Sequence, residues 1–162
     1  MENEQKKPRT FSREQAKLKA ESFCAYQERA QQEVRNKLYE WGLYSNQVEQ
    51  IISELIEDNF LNEERFAKSY VLGKFRIKKW GKIKIRQGLK LKKIGDKLIS
   101  KSLNQIDGDD YIKTLETILE KKSAVLVEKD AFKKRYKLMN YALSKGFEKD
   151  LIFDVLKNNT LP

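Results

Sequence analysis

The stretch KFRIKKWGKIKIRQGLKLKKIGDK (residues 74–97) has two readings, and the choice between them decides the fold. Ile83, Ile85, Leu89 and Leu91 alternate with basic residues. A period of two belongs to a half-buried strand, and a hairpin would follow. The same residues also fit a helix over 83–93, with Ile85 and Leu89 four places apart on one face and the lysines fanning outward. A comparison of the chain with itself favours the helix. The segments KLYEWGLYSNQVEQIISEL (37–55), GLKLKKIGDKLISKSLNQI (88–106) and YALSKGFEKDLIFDVLKNN (141–159) align without gaps. In each, Leu38, Leu89 or Ala142 is followed five places later by Leu43, Ile94 or Phe147, and nine places further by Ile52, Leu103 or Leu156. Gly42 and Gly146 occupy the helix-stop position in between. The copies start 51 and 53 residues apart, which is the mark of a tandem array.

Working outward, helix punctuation supports the array. Ser12 and Gln15 fit a capping box, followed by Leu18, Ala25 and Tyr26 at helical spacing. A second helix over 29–41 carries Val34, Leu38 and Trp41 and stops at Gly42. Asn46 and Glu49 fit another capping box ahead of the stripe Val48, Ile51, Ile52, Leu55, Ile56. Asn62 caps the next helix, with Glu63 and Glu64 in its dipole-favoured first turn and Phe66, Ala67, Tyr70 and Val71 inward. Leu91, Ile94 and Leu98 are expected to pack at the turn after the basic helix. In the last unit, Tyr111, Leu115, Ile118 and Leu119 share one helix. Phe132, Tyr136, Met139 and Leu143 share the next, and Leu151, Ile152, Val155 and Leu156 the last. The expected fold is all-α: tandem three-helix repeats, about nine helices, in an elongated array. The expected boundaries are a disordered tail over 1–11 and three-helix repeats over 12–59, 60–106 and 107–162.

Composition limits the chemistry. The 162 residues are 40% hydrophobic and 36% charged, a lean supply for one large core. There is no histidine, which removes the usual general base and metal ligand. The single cysteine, Cys24, sits beside Phe23 and Ala25 and reads as a small core residue; with no second cysteine there is no internal disulfide. DGDDY (107–111) lacks the ligand ladder of a calcium loop and reads as a helix cap. No phosphate-binding glycine loop or zinc spacing is present. An enzyme is not expected, nor a cofactor, nor a metal. The start has no apolar signal region and no run is long enough for a membrane span. A cytoplasmic monomer is the expectation.

Charge points to a partner. Residues 74–101 hold twelve Lys or Arg against one acid, Asp96, a net +11 in a chain whose total is +10. A solvated helix face usually mixes signs. Unrelieved repulsion of this size opposes folding and is better explained by a polyanion, where neutralising phosphates releases counterions. Arg76, Lys78, Lys79, Lys82, Lys84, Arg86 and Lys90 are the candidate contacts, binding without sequence preference. Phe75 and Trp80 could stack on bases or anchor the helix junction.

FLNEERFAKSYVLGKFRIKKWGKIKIRQGLKLKKI (60–94) resembles the signature of the RecX regulatory family, through Leu61, Asn62, Glu63, Glu64, Arg65, Phe66, Ala67, Tyr70, Gly81, Ile85 and Leu89. EVRNKLYEWGL (33–43) resembles the family's first-unit helix, in which a Leu precedes a Gly at the helix stop. Two departures stand out. The family usually has Lys-Gly where this chain has Lys92-Lys93, and often Asp where this chain has Glu63. The resemblance implies a curved array of three-helix units that binds the filament of RecA recombinase on single-stranded DNA. It also implies inhibition of filament growth, strand exchange and ATP hydrolysis. Free DNA would be a further target, and no membrane is implied. The rival readings are a helical DNA-binding protein with no recombinase partner and a scaffold for acidic proteins.

Overall fold

The apolar pairs five residues apart have a backbone cause. In the computed structural model, which describes residues 11–158, Gly42 and Gly146 both take positive φ, 89° and 94°. Leu43 N–H donates to Leu38 O (3.2 Å) and Phe147 N–H to Ala142 O (3.2 Å). Each is the long bond of a Schellman helix stop, which puts one apolar residue at each end of a single hydrogen bond. All nine positions of the repeat pattern are buried: Leu38, Leu43 and Ile52; Leu89, Ile94 and Leu103; Ala142, Phe147 and Leu156. At the middle stop Lys93 stands where the other two have glycine, and it takes the same left-handed conformation, φ 63°.

Nine helices and no strand form among the described residues: α1 Arg13–Tyr26, α2 Gln31–Glu40, α3 Ser45–Glu57, α4 Glu63–Arg76, α5 Lys82–Leu91, α6 Asp96–Leu103, α7 Gly108–Val125, α8 Ala131–Ser144 and α9 Lys149–Asn158. The basic stretch is therefore helical, and the hairpin is excluded. The chain divides into two compact units. One comprises Met1–Ala67 with Lys92–Ile94, the other Lys68–Leu91 with Gly95–Pro162.

The core of the first unit is built from α1, α2 and α3, around Val34, Leu38, Leu43, Val48, Ile51 and Leu55. Ser12 and Gln15 form the expected capping box on α1, with bonds of 3.2 and 3.0 Å. The face that α1 buries is not the expected one. Leu18, Ala25 and Tyr26 point to solvent, while Ala16, Ala20 and Cys24 are buried. Small residues at i, i+4 and i+8 let the helix approach its neighbours closely; Leu18 and Tyr26 stay outside, and Phe23 packs against the edge of the core. Asn46 is not a cap either. Helix α3 begins at Ser45, and Gln47 Oε1 accepts from Tyr44 N–H at 3.2 Å. Glu49 pairs instead with Arg35, through bonds of 2.6 and 3.1 Å. Residues 1–10 of the expected tail lie outside the described residues. Phe11, counted with that tail, packs edge-on against Trp41, ring centroids 6.1 Å apart.

Arg65, from the FLNEERFA motif, is the clamp of this unit. Asn62 Oδ1 accepts from Arg65 N–H at 2.9 Å, the expected cap of α4. The Arg65 guanidinium then reaches back to the left-handed turn that ends α3. It donates to Asn59 Oδ1 (3.1 Å), Asn59 O (3.0 Å), Phe60 O (3.4 Å) and the Glu28 carboxylate. Arg65→Ala leaves a partly buried carboxylate and two turn carbonyls without their donor. We expect a loss of about 2 kcal/mol, held to that size by solvent at the pair, read as a lowered urea midpoint with unchanged slope. A loss under about 0.5 kcal/mol would reduce this network to surface decoration.

In the second unit Ile85 and Leu89 of α5 face inward as expected, but Leu91 is 81% exposed. It lies two residues past Leu89, about 200° around a helix of 3.6 residues per turn. Tyr111, Leu115, Ile118 and Leu119 of α7 are buried, as are Ile152, Val155 and Leu156 of α9, with Leu151 half-buried. Helix α8 departs from expectation. Asp130 caps it, accepting from Lys133 N–H at 3.0 Å. The buried residues are Leu138 and Ala142; Phe132 is 82% exposed, and Tyr136 and Leu143 are also exposed. The apolar residues expected to share this helix do not share its buried face, which carries Leu138 and Ala142.

Candidate nucleic-acid interface

The start of α5 has no side-chain cap of its own. Its free donors are met by other parts of the second unit. Gly81 N–H donates to Lys145 O (2.8 Å), Ile83 N–H to Gly146 O (3.0 Å), and Lys82 N–H to the Tyr111 hydroxyl (3.0 Å). Tyr111 in turn donates to Glu148 Oε1 at 2.6 Å. Burial, and the carboxylate that accepts its proton, push the Tyr111 phenol above the ordinary tyrosine range. Its ring packs against Phe147 (5.0 Å between centroids) and Phe75 (5.9 Å). Phe75 is thus an anchor of the core. Trp80 is half-buried, with Lys74 Nζ 4.8 Å and Lys84 Nζ 4.5 Å from its ring, a cation–π arrangement.

This capping fixes where the basic side chains stand. Arg76 ends α4, Lys78 and Lys79 lie in the turn after it, and Lys82, Lys84, Arg86 and Lys90 lie on α5. Lys79 takes a left-handed φ of 58°, which closes α4 as Lys93 closes α5. Among the described residues, Arg76, Lys78, Lys79, Lys82, Lys84 and Arg86 form no ion pair. Lys90 makes a loose, exposed one with Asp96 at 3.7 Å. In the first unit Lys92 pairs with Glu33.

The predicted contacts do not gather in one place. Lys82 and Arg86 edge a shallow recess of about 340 Å³ that Ser100, Asn104 and Glu148 also line. Arg76 and Lys79 belong to a larger cleft of about 450 Å³, where Lys113, Lys121 and Lys145 join them and Asp110 is the one acid. The lysines from α7 and the end of α8 were missed in the sequence, because they lie outside the concentrated run. A signal was present: Lys113, Thr117 and Lys121 recur every four residues on one face of α7.

Elsewhere the chemistry is quiet. Cys24 is buried, and burial pushes its thiol up to about 11, as suits a core residue. Among the described residues no group of three His, Cys, Asp or Glu side chains could hold a metal ion, and no helix is long and apolar enough to cross a membrane.

Comparison with known proteins places this arrangement in a family. Family models describing RecX match three segments in order: its first three-helix domain at residues 16–55, its second at 62–103 and its third at 109–156. The chain belongs to the RecX family. It is 33% identical over 146 residues to the regulatory protein RecX of Clostridium acetobutylicum, a match covering 88% of this chain and 67% of that protein. It is 31% identical over 134 residues to the regulatory protein RecX of Clostridium perfringens strain 13, covering 82% of this chain and 62% of the relative. The chain thus spans about three-fifths to two-thirds of the length of these two relatives. The fold is shared with the crystal structure of RecX from Lactobacillus salivarius, TM-score 0.80 at 24% identity, covering 90% of this chain and 94% of that one. The basic run and all seven predicted contacts fall within the RecX second-domain match.

Proposed function

We propose that this chain is a non-catalytic regulator of RecA recombinase. It binds the RecA filament on single-stranded DNA and restrains filament growth, strand exchange and ATP hydrolysis, and so regulates homologous recombination and DNA repair. In this reading it acts as a cytoplasmic monomer of three three-helix units, 12–59, 60–106 and 107–162. Arg76, Lys78, Lys79, Lys82, Lys84, Arg86 and Lys90 meet filament or DNA. The observation that carries the reading is the row of cations from Arg76 to Arg86 that has no ion-pair partner among the described residues. Unneutralised charge of one sign favours a polyanionic partner. Membership of the RecX family supports the recombinase filament as that partner.

The test is ATP hydrolysis by the recombinase of the same organism on single-stranded DNA, with this protein titrated in. We expect inhibition well below one chain per recombinase, because a regulator of filaments acts on many subunits at once. Inhibition only when the DNA is saturated, lost on adding salt, would favour the rival helical DNA-binding protein. Free DNA that fails to compete for binding would favour a scaffold for acidic proteins.

A further inference from the structure

We propose that the cleft walled by the end of α4, by α7 and by the end of α8 is a nucleotide subsite. It takes one unstacked nucleotide of a single strand, the phosphates on its 5′ and 3′ sides on the rim and its base against the wall. It deepens the filament reading by naming a second contact, and rests on that reading only for where the strand comes from.

Three features of the cleft carry the assignment. Its volume, about 450 Å³, lies in the range of small-molecule sites. Its rim is cationic from two directions: Arg76 and Lys79 on one side, Lys113 and Lys121 on α7 on the other. None of these four is in an ion pair among the described residues. Lys145 is left out of the contact set because its Nζ already donates to Lys78 O at 3.2 Å. Between the cations lies the half-buried ring of Tyr141, with the buried Phe75 and Ile118 showing only their edges behind it, and that ring is the face on which a base can stack. A bare phosphate would leave that wall wet. A duplex presents a convex backbone and paired bases, and neither enters a recess. A splayed nucleotide satisfies cations and wall together. The one acid, Asp110, opposes the phosphate and should weaken the site.

The experiment uses the full chain and fluorescence anisotropy with a labelled oligothymidylate of about 12 nucleotides, long enough for one contact site, beside a duplex of equal length. Lys113→Glu with Lys121→Glu removes two phosphate contacts. Single-strand affinity is expected to fall about twentyfold at 0.1 M salt, with the salt slope reduced by about 1.4. Asp110→Asn is expected to raise affinity about threefold, a direction that no folding defect imitates. Unchanged single-strand affinity in both variants overturns the subsite. So does an equal loss on duplex and single strand, which would make the cleft an undifferentiated patch. If the subsite fails while the unaltered protein still inhibits recombinase ATP hydrolysis below stoichiometry, the filament reading survives without it. If the variants lose the oligonucleotide but the unaltered protein never inhibits hydrolysis, the subsite stands and the filament reading falls.

Discussion

Gly146→Ala should destabilise the protein by about 4 kcal/mol, a drop in melting temperature of about 10 °C for a chain of this size. Three costs add. The residue sits at φ 94°, where a side chain is strained by about 1–2 kcal/mol. A β-carbon there would lie 2.3 Å from Lys84 Cβ and 2.6 Å from Lys84 N, so the first turn of α5 must back away. Backing away stretches the bonds from Gly81 N–H to Lys145 O and from Ile83 N–H to Gly146 O, which serve in place of a cap on α5. The approach is close from both sides: a β-carbon on Gly81 would stand 2.3 Å from Gly146 O. Gly73 supplies the control. It lies in α4 with nothing within 4 Å of its missing β-carbon, so Gly73→Ala should be neutral or stabilising by up to about 1 kcal/mol. Thermal melts followed by circular dichroism decide the matter. A Gly146→Ala melt within a few degrees of the unaltered protein would mean that the turn can shift freely, and that the backbone does not position α5.

That tertiary cap also explains why the decisive stretch looked ambiguous. A helix usually announces its start with Ser, Thr, Asp or Asn, as Ser12, Asn62, Asp107 and Asp130 do here. Helix α5 has Gly81 instead, and its donors are met by residues from 111 to 146, more than twenty-five places away. No local pattern could show them. The repeat was legible because its spacing comes from a local event, the hydrogen bond that closes the first and third stops and pairs Leu38 with Leu43 and Ala142 with Phe147, five places apart. Even Lys93, which lacks the freedom of glycine, closes the middle stop in the left-handed region.

Faces were less legible than elements. In α1 and α8 the apolar residues that mark the helical spacing, Leu18, Tyr26, Phe132 and Tyr136, are exposed, and the inward positions belong to Ala16, Ala20, Leu138 and Ala142. Size predicts how much a buried residue contributes, not which face is turned in. In α3, α4, α7 and α9 the apolar stripe was dense enough to show the face, and Val48, Ile51, Val71, Leu115 and Ile152 are buried, though Ile56 at the end of the α3 stripe is exposed and Tyr70 of α4 is half-buried. The candidate site divides the same way. The concentrated run was obvious, but the lysines that share a cleft with Arg76 and Lys79 come from helices at least thirty residues further on.

The triple variant Lys79→Glu, Lys82→Glu, Arg86→Glu should bind a single-stranded DNA filament about a hundredfold more weakly at 0.1 M salt. The figure follows from counterion release. Each phosphate contact on a single strand contributes a slope of about 0.7 in log affinity against log salt, so three contribute about two decades between 1 M and 0.1 M. The deficit should therefore shrink as salt is raised, which a lost apolar contact would not do. Folding should survive the change. All three side chains lie outside the buried core; at residue 82 a carboxylate gives up the lysine's contact with the Tyr111 ring and stands in the same recess as Glu148, a cost that the dipole of the first turn of α5 offsets. The helical signal and the melting transition should accordingly match those of the unaltered protein. Strand-exchange assays then locate the contact. Inhibition that needs far more of the variant places recognition on the basic stretch of the second unit. Inhibition at the concentrations that suffice for the unaltered protein would move recognition elsewhere, because three reversed charges cannot sit against a polyanion without cost.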